Sequence, residues 1–243
     1  MHRLLLIAAL LIASVAGASA EEAAASRTGL PQSVELPVRV RVALRVLNVL
    51  EIKEVAGQGR LQVELTQRWQ DPRLSFDAIA RGLARDDRVG DEADEYLKTI
   101  WTPGLTLDNQ IGDKDSRSVA LSVHAHGEVM LIERFESDFR FRMNMDAFPF
   151  DQQRLTLSLS LPRYPQQEAV IVTTEADRQF SGVDATPSVV DWRPIGLRFT
   201  SEPAMGWNAR SYSRLNATVT MARDAQRYVL RVFVPIIAVL AVS

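Results

Sequence analysis

The sequence predicts an all-β protein, an antiparallel β-sandwich of about ten strands. Three observations carry this reading. Apolar and polar residues alternate with a period of two in segment after segment, as in strands with one buried face. Short polar, turn-forming stretches separate these segments. The chain has 243 residues and no cysteine, and at that length an apolar core suffices without disulfides.

The first twenty residues, MHRLLLIAALLIASVAGASA, are expected to precede the fold. A basic start (His2, Arg3), an apolar run from Leu4 to Ile12 and the small residues Ala18, Ser19 and Ala20 make up a secretory signal peptide. Residues 21–33, rich in Ala and Ser, read as a linker, and the sandwich is expected over 34–228. Its first strand is VRVRVALRV, with Val38, Val40, Val42, Leu44 and Val46 on one face and Arg39, Arg41 and Arg45 on the other. A turn at Gly57 and Gly59 leads to RLQVELTQRW. The segment FDAIARGLARDD has the pattern of a helical turn or two, and the acid-rich stretch after it reads as a solvated loop. Asp91, Glu92, Asp94 and Glu95 are the alternative reading there, as Ca²⁺ ligands, without the spacing of an EF-hand.

VALSVHA and VMLIERFESDFRFRM flank Gly127 as the two strands of a hairpin. LTLSLSL follows, with Leu155, Leu157, Leu159 and Leu161 on one side. AVIVTTE, PIGLRFT and RLNATVTMA complete the set, which fits an immunoglobulin-like sandwich. Asn216-Ala217-Thr218 matches a glycosylation sequon but falls inside the last strand. The final run, Val229 to Val242, is apolar except for Arg231. A spanning helix needs about 20 such residues. A last core strand is one reading. Pro235 would damage a central strand and suits a membrane helix, so 229–243 reads as the start of a transmembrane helix.

Composition excludes several function classes. The formal net charge is −2, which rules out a strongly basic nucleic-acid surface. Lysine occurs only at 53, 98 and 114; with the absence of cysteine, this arginine bias points to a GC-rich bacterial gene. Outside the leader only His124 and His126 remain, two apart on one strand face, and zinc would need further ligands. No nucleophile, base and oxyanion site assembles, so no enzyme activity, metal or cofactor is expected.

Four motifs stand in a particular order. RWQDPRLSF carries Trp69, Asp71, Pro72, Arg73 and Leu74. IWTPGLTLDN carries Trp101, Pro103 and Asn109. FPFD occupies 148–151. RDAQRYVLRVFVP places Arg223 twelve residues before Pro235. Together they resemble the pentameric ligand-gated ion channels, the Cys-loop receptor superfamily, and most of all its prokaryotic members that lack the loop disulfide. The resemblance runs from about Val34 to the last residue. The family's cysteine positions fall at Phe141 and Leu155, both apolar here.

The resemblance implies a homopentamer in a bacterial inner membrane, its sandwiches facing the periplasm or exterior and a small agonist, such as a cationic amine, bound between neighbours. It implies four membrane helices, of which this chain holds part of the first. Phe148, Pro149 and Phe150 would form an apolar tip toward the pore domain, with Pro149 a candidate for a cis peptide. Asp151 would pair with Arg223, and Glu51 or Glu54 would be a third member. Agonist in this family is held in an aromatic box by cation–π attraction, to which Trp207, Tyr212 and Tyr164 would contribute. Two usual aromatic positions carry acids instead, Asp108 and Glu64; these either help to hold a cation or mark a different ligand class. Trp69, Trp101 and Trp192 read as core. The competing reading is a soluble periplasmic pentamer that binds ligand without a channel.

Overall fold

The computed structural model describes residues 27–31, 34–184 and 189–242. The expected signal peptide and most of the expected linker lie outside the described residues. Eleven strands are present among the described residues: β1 (Val38–Lys53), β2 (Gln58–Gln70), β3 (Arg85–Val89), β4 (Thr106–Leu107), β5 (Gln110–His124), β6 (Glu128–Arg140), β7 (Gln152–Pro165), β8 (Ala169–Val172), β9 (Gly182–Val183), β10 (Trp192–Met205) and β11 (Ser211–Arg223). They form two sheets. The larger has the order β3-β5-β6-β2-β1-β8, with β9 also on β1; the smaller has the order β10-β11-β7-β4. The fold is an all-β sandwich, as expected. It is not wholly antiparallel, because β8 and β9 run parallel to β1.

Alternation in sequence becomes the core directly. Val38, Val40, Val42, Leu44 and Val46 of β1 are buried, as are Leu61, Val63 and Leu65 of β2 and all four leucines of β7. At about 25 cal/mol per Å² of apolar area, each such side chain contributes roughly 1.5–3 kcal/mol. Trp69, Trp101 and Trp192 are buried as well, and the Trp69 and Trp101 rings meet edge-to-face at 6.1 Å.

Three segments depart from expectation. The acid-rich stretch is not a loop. It forms β3, which pairs with β5, and then helix α2 (Gly90–Leu97), after a single helical turn α1 (Ala78–Arg81). β3 lacks apolar alternation because it is an edge strand held by charge: Arg85 pairs with Asp87 and Arg88 with Asp86, which suits an edge that must not recruit another strand. The proposed Ca²⁺ ligands have cationic neighbours instead, Asp94 with Arg117, Glu95 with Lys98 and Glu92 with Arg88. Among the described residues no group of three or more potential ligands could hold a metal. Second, β5 begins nine residues earlier than its apolar pattern, since backbone pairing to β6 carries the polar half. Third, the predicted strand over 169–175 ends at Val172, where Thr174 opens helix α3 (Glu175–Gln179) with a capping box to Asp177.

At the end of β11 the chain turns into α4 (Ala225–Tyr228), a π-helical turn over Val229–Phe233, and α5 (Val234–Val242). The last segment is therefore helical and not a core strand. No helix among the described residues is long and apolar enough to cross a membrane. Leu230, Ile236, Ile237, Val239 and Leu240 stand 52–70% exposed.

Candidate functional site

The β10–β11 hairpin ends in a loop closed by Gly206 N–H donating to the Arg210 carbonyl at 2.9 Å. Trp207 stands at its tip with its side chain wholly in solvent. Asn208 orders the loop, since its side-chain oxygen accepts from Arg210 N–H at 3.1 Å and its amide nitrogen donates to the Tyr212 hydroxyl at 2.8 Å. Gly206 lies under the Tyr212 ring; a Cβ there would stand 2.4 Å from Cε2. Beside this loop lies Asp108, between β4 and β5. Its carboxylate accepts from the Ser160 hydroxyl and from Arg214 Nε at 3.1 Å.

Trp207, Tyr212 and Asp108 thus line one cleft of about 290 Å³, with Arg214, Ser160 and Met205. The other two predicted ligand residues lie elsewhere. Tyr164 packs its ring on Trp101 at 5.5 Å. Glu64 sits in the larger sheet, held by Arg134 and Arg45. Both acids at the usual aromatic positions are therefore matched by guanidinium groups. Within one chain, any cation affinity of the cleft falls to the two aromatic rings.

A second cluster lies at the opposite end of β11. The Arg223 side chain is fully buried and makes two hydrogen bonds to Asp151, Nε to Oδ1 at 2.6 Å and Nη2 to Oδ2 at 3.1 Å. Its Nη1 donates to Glu54 at 2.7 Å and to the Tyr228 hydroxyl at 3.2 Å. The guanidinium carbon lies 4.2 Å from the Trp192 ring centre, 4.9 Å from Phe148 and 5.2 Å from Tyr228. Of the two acids expected as a third member, Glu54 is the one present; Glu51 pairs with Lys53. The Phe148–Pro149 peptide is cis. Of the three expected tip residues, Pro149 is buried, and Phe148 is 43% exposed, its ring meeting that of Tyr228 edge-to-face at 5.1 Å. Phe150 projects, 73% exposed.

Gln153 completes the cluster and escaped the motif-based reading. Its amide donates to Asp151 at 2.6 Å and to the Asn144 carbonyl at 2.6 Å, and its oxygen accepts from Asn144 N–H at 3.0 Å. The signal for it was present. Asp151 and Gln153 share the parity of Leu155 to Leu161, so the buried face of β7 continues into two polar residues that must find partners. A buried group on α3, paired with the larger sheet, was also missed. Asp177 is wholly buried and accepts from Arg41 Nε at 3.1 Å and Arg68 Nη1 at 2.9 Å.

Burial opposes charge on Asp151 and on Asp177. For Asp151 the hydrogen bonds from Arg223 and Gln153 outweigh it, and for Asp177 those from Arg41 and Thr174, so both carboxyls titrate below the usual range. Arg223 is pushed upward by Asp151 and Glu54 against the same burial. A carboxylate with a depressed folded-state pKa contributes stability that is present above its unfolded value and lost as pH falls through the folded value. The thermal midpoint should hold down to about pH 4, the unfolded aspartate range, and fall below it. A midpoint unchanged down to about pH 2 would contradict this assignment.

The family model described as the neurotransmitter-gated ion-channel ligand binding domain matches residues 26–225. The chain belongs to this family. The match covers the sandwich from before β1 to the first residue of α4. The chain is also 23% identical over 213 residues to the gamma-aminobutyric acid receptor subunit beta-4 of Gallus gallus, an alignment covering 85% of this chain and 41% of that one. It therefore spans about two fifths of that relative's length. As a ligand-binding domain of a ligand-gated channel family, it is not an enzyme. Within that family it is of the type without the loop disulfide: the chain has no cysteine, and Phe141 and Leu155 are both buried in the core. Gln153, bridging Asn144 and Asp151, ties down the loop that contains FPFD.

Proposed function

We propose that this chain is the periplasm-facing ligand-binding domain of a bacterial pentameric ligand-gated channel, with 1–20 its signal peptide and 229–243 the start of its first membrane helix. Five copies form a ring. A small agonist binds in the Trp207–Tyr212 cleft against the neighbouring copy, which supplies residues such as Glu64. The observation that carries this is β11, which joins the cleft at Tyr212 to the buried Arg223 at its other end. Eleven residues of strand, at roughly 3.3 Å each, separate the two by about 36 Å. A rigid strand with a ligand loop at one end and a buried ion pair at the other is a natural transmission element.

Ligand then acts through differential affinity: closure of the Trp207 loop favours one position of β11, and Arg223 and Asp151 carry that preference to the pore. Aromatic rings beside a paired Arg214 and Asp108 favour an agonist that bears an ammonium, with a carboxylate as its second charge. The named ligand of the chicken relative, gamma-aminobutyric acid, is the first probe for this reason. The purified chain should bind it saturably. Trp207→Ala should weaken binding at least tenfold. Gly206→Ala should weaken it comparably, because the new Cβ displaces the Tyr212 ring. Binding that survives both changes would refute the cleft as the agonist site.

A further inference from the structure

The outward face of the smaller sheet gathers positive charge in the half that adjoins α4. Register fixes its rows. Gln152 of β7, Ala222 of β11 and Arg193 of β10 form the row nearest α4. Arg154, Thr220 and Gly196 form the next, and Thr156, Thr218 and Arg198 the third. The alternate residues point the other way. Gln153, Leu155, Val219, Met221 and Trp192 are buried, and Leu197 and Phe199 pack against the core. The three arginines therefore share the outward face, and all three are exposed.

These rows contain no acid. Farther along the same face Arg214 pairs with Asp108. Arg154, Arg193 and Arg198 have no hydrogen-bond, ion-pair or ring partner among the described residues. The first acid met along β10, Glu202, stands two rows beyond Arg198 and accepts from the Asn216 amide at 2.6 Å. Between the arginines lie hydroxyls: those of Thr156 and Thr218 bond each other at 2.9 Å, and Thr220 sits at the centre. With strands about 4.8 Å apart and residues about 3.4 Å along each, the three Cα atoms form a triangle with sides of roughly 12–14 Å. Its centre is thus about 7 Å from each corner, close to the reach of an extended arginine, roughly 6 Å over five staggered bonds. The three guanidinium groups can converge over Thr220.

Convergence of three planar, bidentate donors selects the anion. A phosphate dianion offers three equivalent oxygens and two charges, and a carboxylate only two oxygens and one charge. The surrounding Thr156, Thr218 and Gln152 suit a hydroxyl-rich body. A lipid headgroup would not reach the site. Thr220 stands three strand residues above Arg223, about 10 Å, and six helical residues, about 9 Å, separate Arg223 from Val229. The headgroup layer outside the hydrocarbon is only about 5–8 Å deep. We propose that Arg154, Arg193 and Arg198 form a second ligand site, on the outward face of the smaller sheet, which takes a soluble phosphate monoester of a polyol or sugar. A bound phosphate links β7, β11 and β10 across the strand that joins Tyr212 to Arg223. The choice of a soluble source rests on reading 229–243 as the start of a membrane helix; the triangle does not, nor does it depend on the agonist cleft.

Glucose 6-phosphate, glucuronate and glucose share a body and carry a phosphate, a carboxylate or a hydroxyl at the same end. Isothermal titration calorimetry on the purified chain compares them. Glucose 6-phosphate should bind saturably, at least tenfold tighter than glucuronate, and should raise the thermal midpoint. Arg154→Gln and Arg198→Gln should each weaken it at least fivefold, and the triple variant that adds Arg193→Gln should abolish it. Arg39→Gln changes an exposed arginine of the other sheet that also lacks an ion-pair partner among the described residues; it should leave binding unchanged, as should Trp207→Ala. All the substituted arginines are exposed, where changes seldom disturb folding, and near-UV circular dichroism checks this. Absence of saturable binding, equal affinity for glucuronate, or binding that survives in the triple variant would overturn the proposal. So would an equal loss in Arg39→Gln, which would mean diffuse charge attraction, or a loss in Trp207→Ala, which would place the probe in the other cleft. Vesicles of phosphatidylglycerol, with phosphatidylcholine as control, form the lipid arm. Arginine-dependent binding to them without binding of glucose 6-phosphate would also overturn it.

Discussion

Replacing Arg223 by Ala should destabilise the sandwich by about 3–5 kcal/mol, because it leaves the buried Asp151 carboxylate without its counter-charge. The two groups are almost entirely out of solvent, so water cannot substitute for the lost guanidinium. Asp151→Ala should cost a similar amount for the converse reason, although Arg223 would keep Glu54. The double variant should fall short of the sum by roughly 1–3 kcal/mol, as contacting residues do. Urea unfolding of the four proteins measures this. Additive losses would mean that the pair is not a unit. In a channel that contains this domain, a milder disturbance of the same pair, Asp151→Asn, should impair opening more than agonist affinity. The reverse pattern would remove the cluster from the transmission path.

Trp101→Ala should cost about 3–5 kcal/mol, the range for deleting a large aromatic from a core. Trp101 is fully buried between Trp69 at 6.1 Å and Tyr164 at 5.5 Å, and the sandwich cannot collapse around two rings at once. The same change frees the Tyr164 ring. Tyr164→Phe keeps the ring contact and should shift stability by less than about 1 kcal/mol. Denaturant midpoints compare the two, and a small loss in Trp101→Ala would mean that the site repacks. Ligand titration of Tyr164→Phe tests separately whether its hydroxyl reaches the agonist.

Much of this was legible in the residues, and the reasons differ by region. β1, β2, β6, β7 and β11 could be read because each has one dry face, and a two-residue period records that directly. The buried tryptophans and the Asp151–Arg223 pair were legible through motifs whose order persists in the chain. β3 and the first half of β5 were not, because charge pairs and backbone ladders hold them and leave no apolar period. α3 was missed although Thr174-x-x-Asp177 is a capping signature, since the preceding strand-like run obscured it.

The sequence by itself determined which face of each long strand is dry, and hence the sandwich, its core and its family. Those are local properties, set by the alternation of side chains along one strand. Only the tertiary structure decided the partners. It placed Asp108 on Arg214 and Glu64 on Arg134, selected Glu54 over Glu51, and set the Phe148 ring beside the Arg223 guanidinium. Each of these is a contact between segments far apart in the chain, and such contacts depend on register and sheet stacking, which no short window of residues contains.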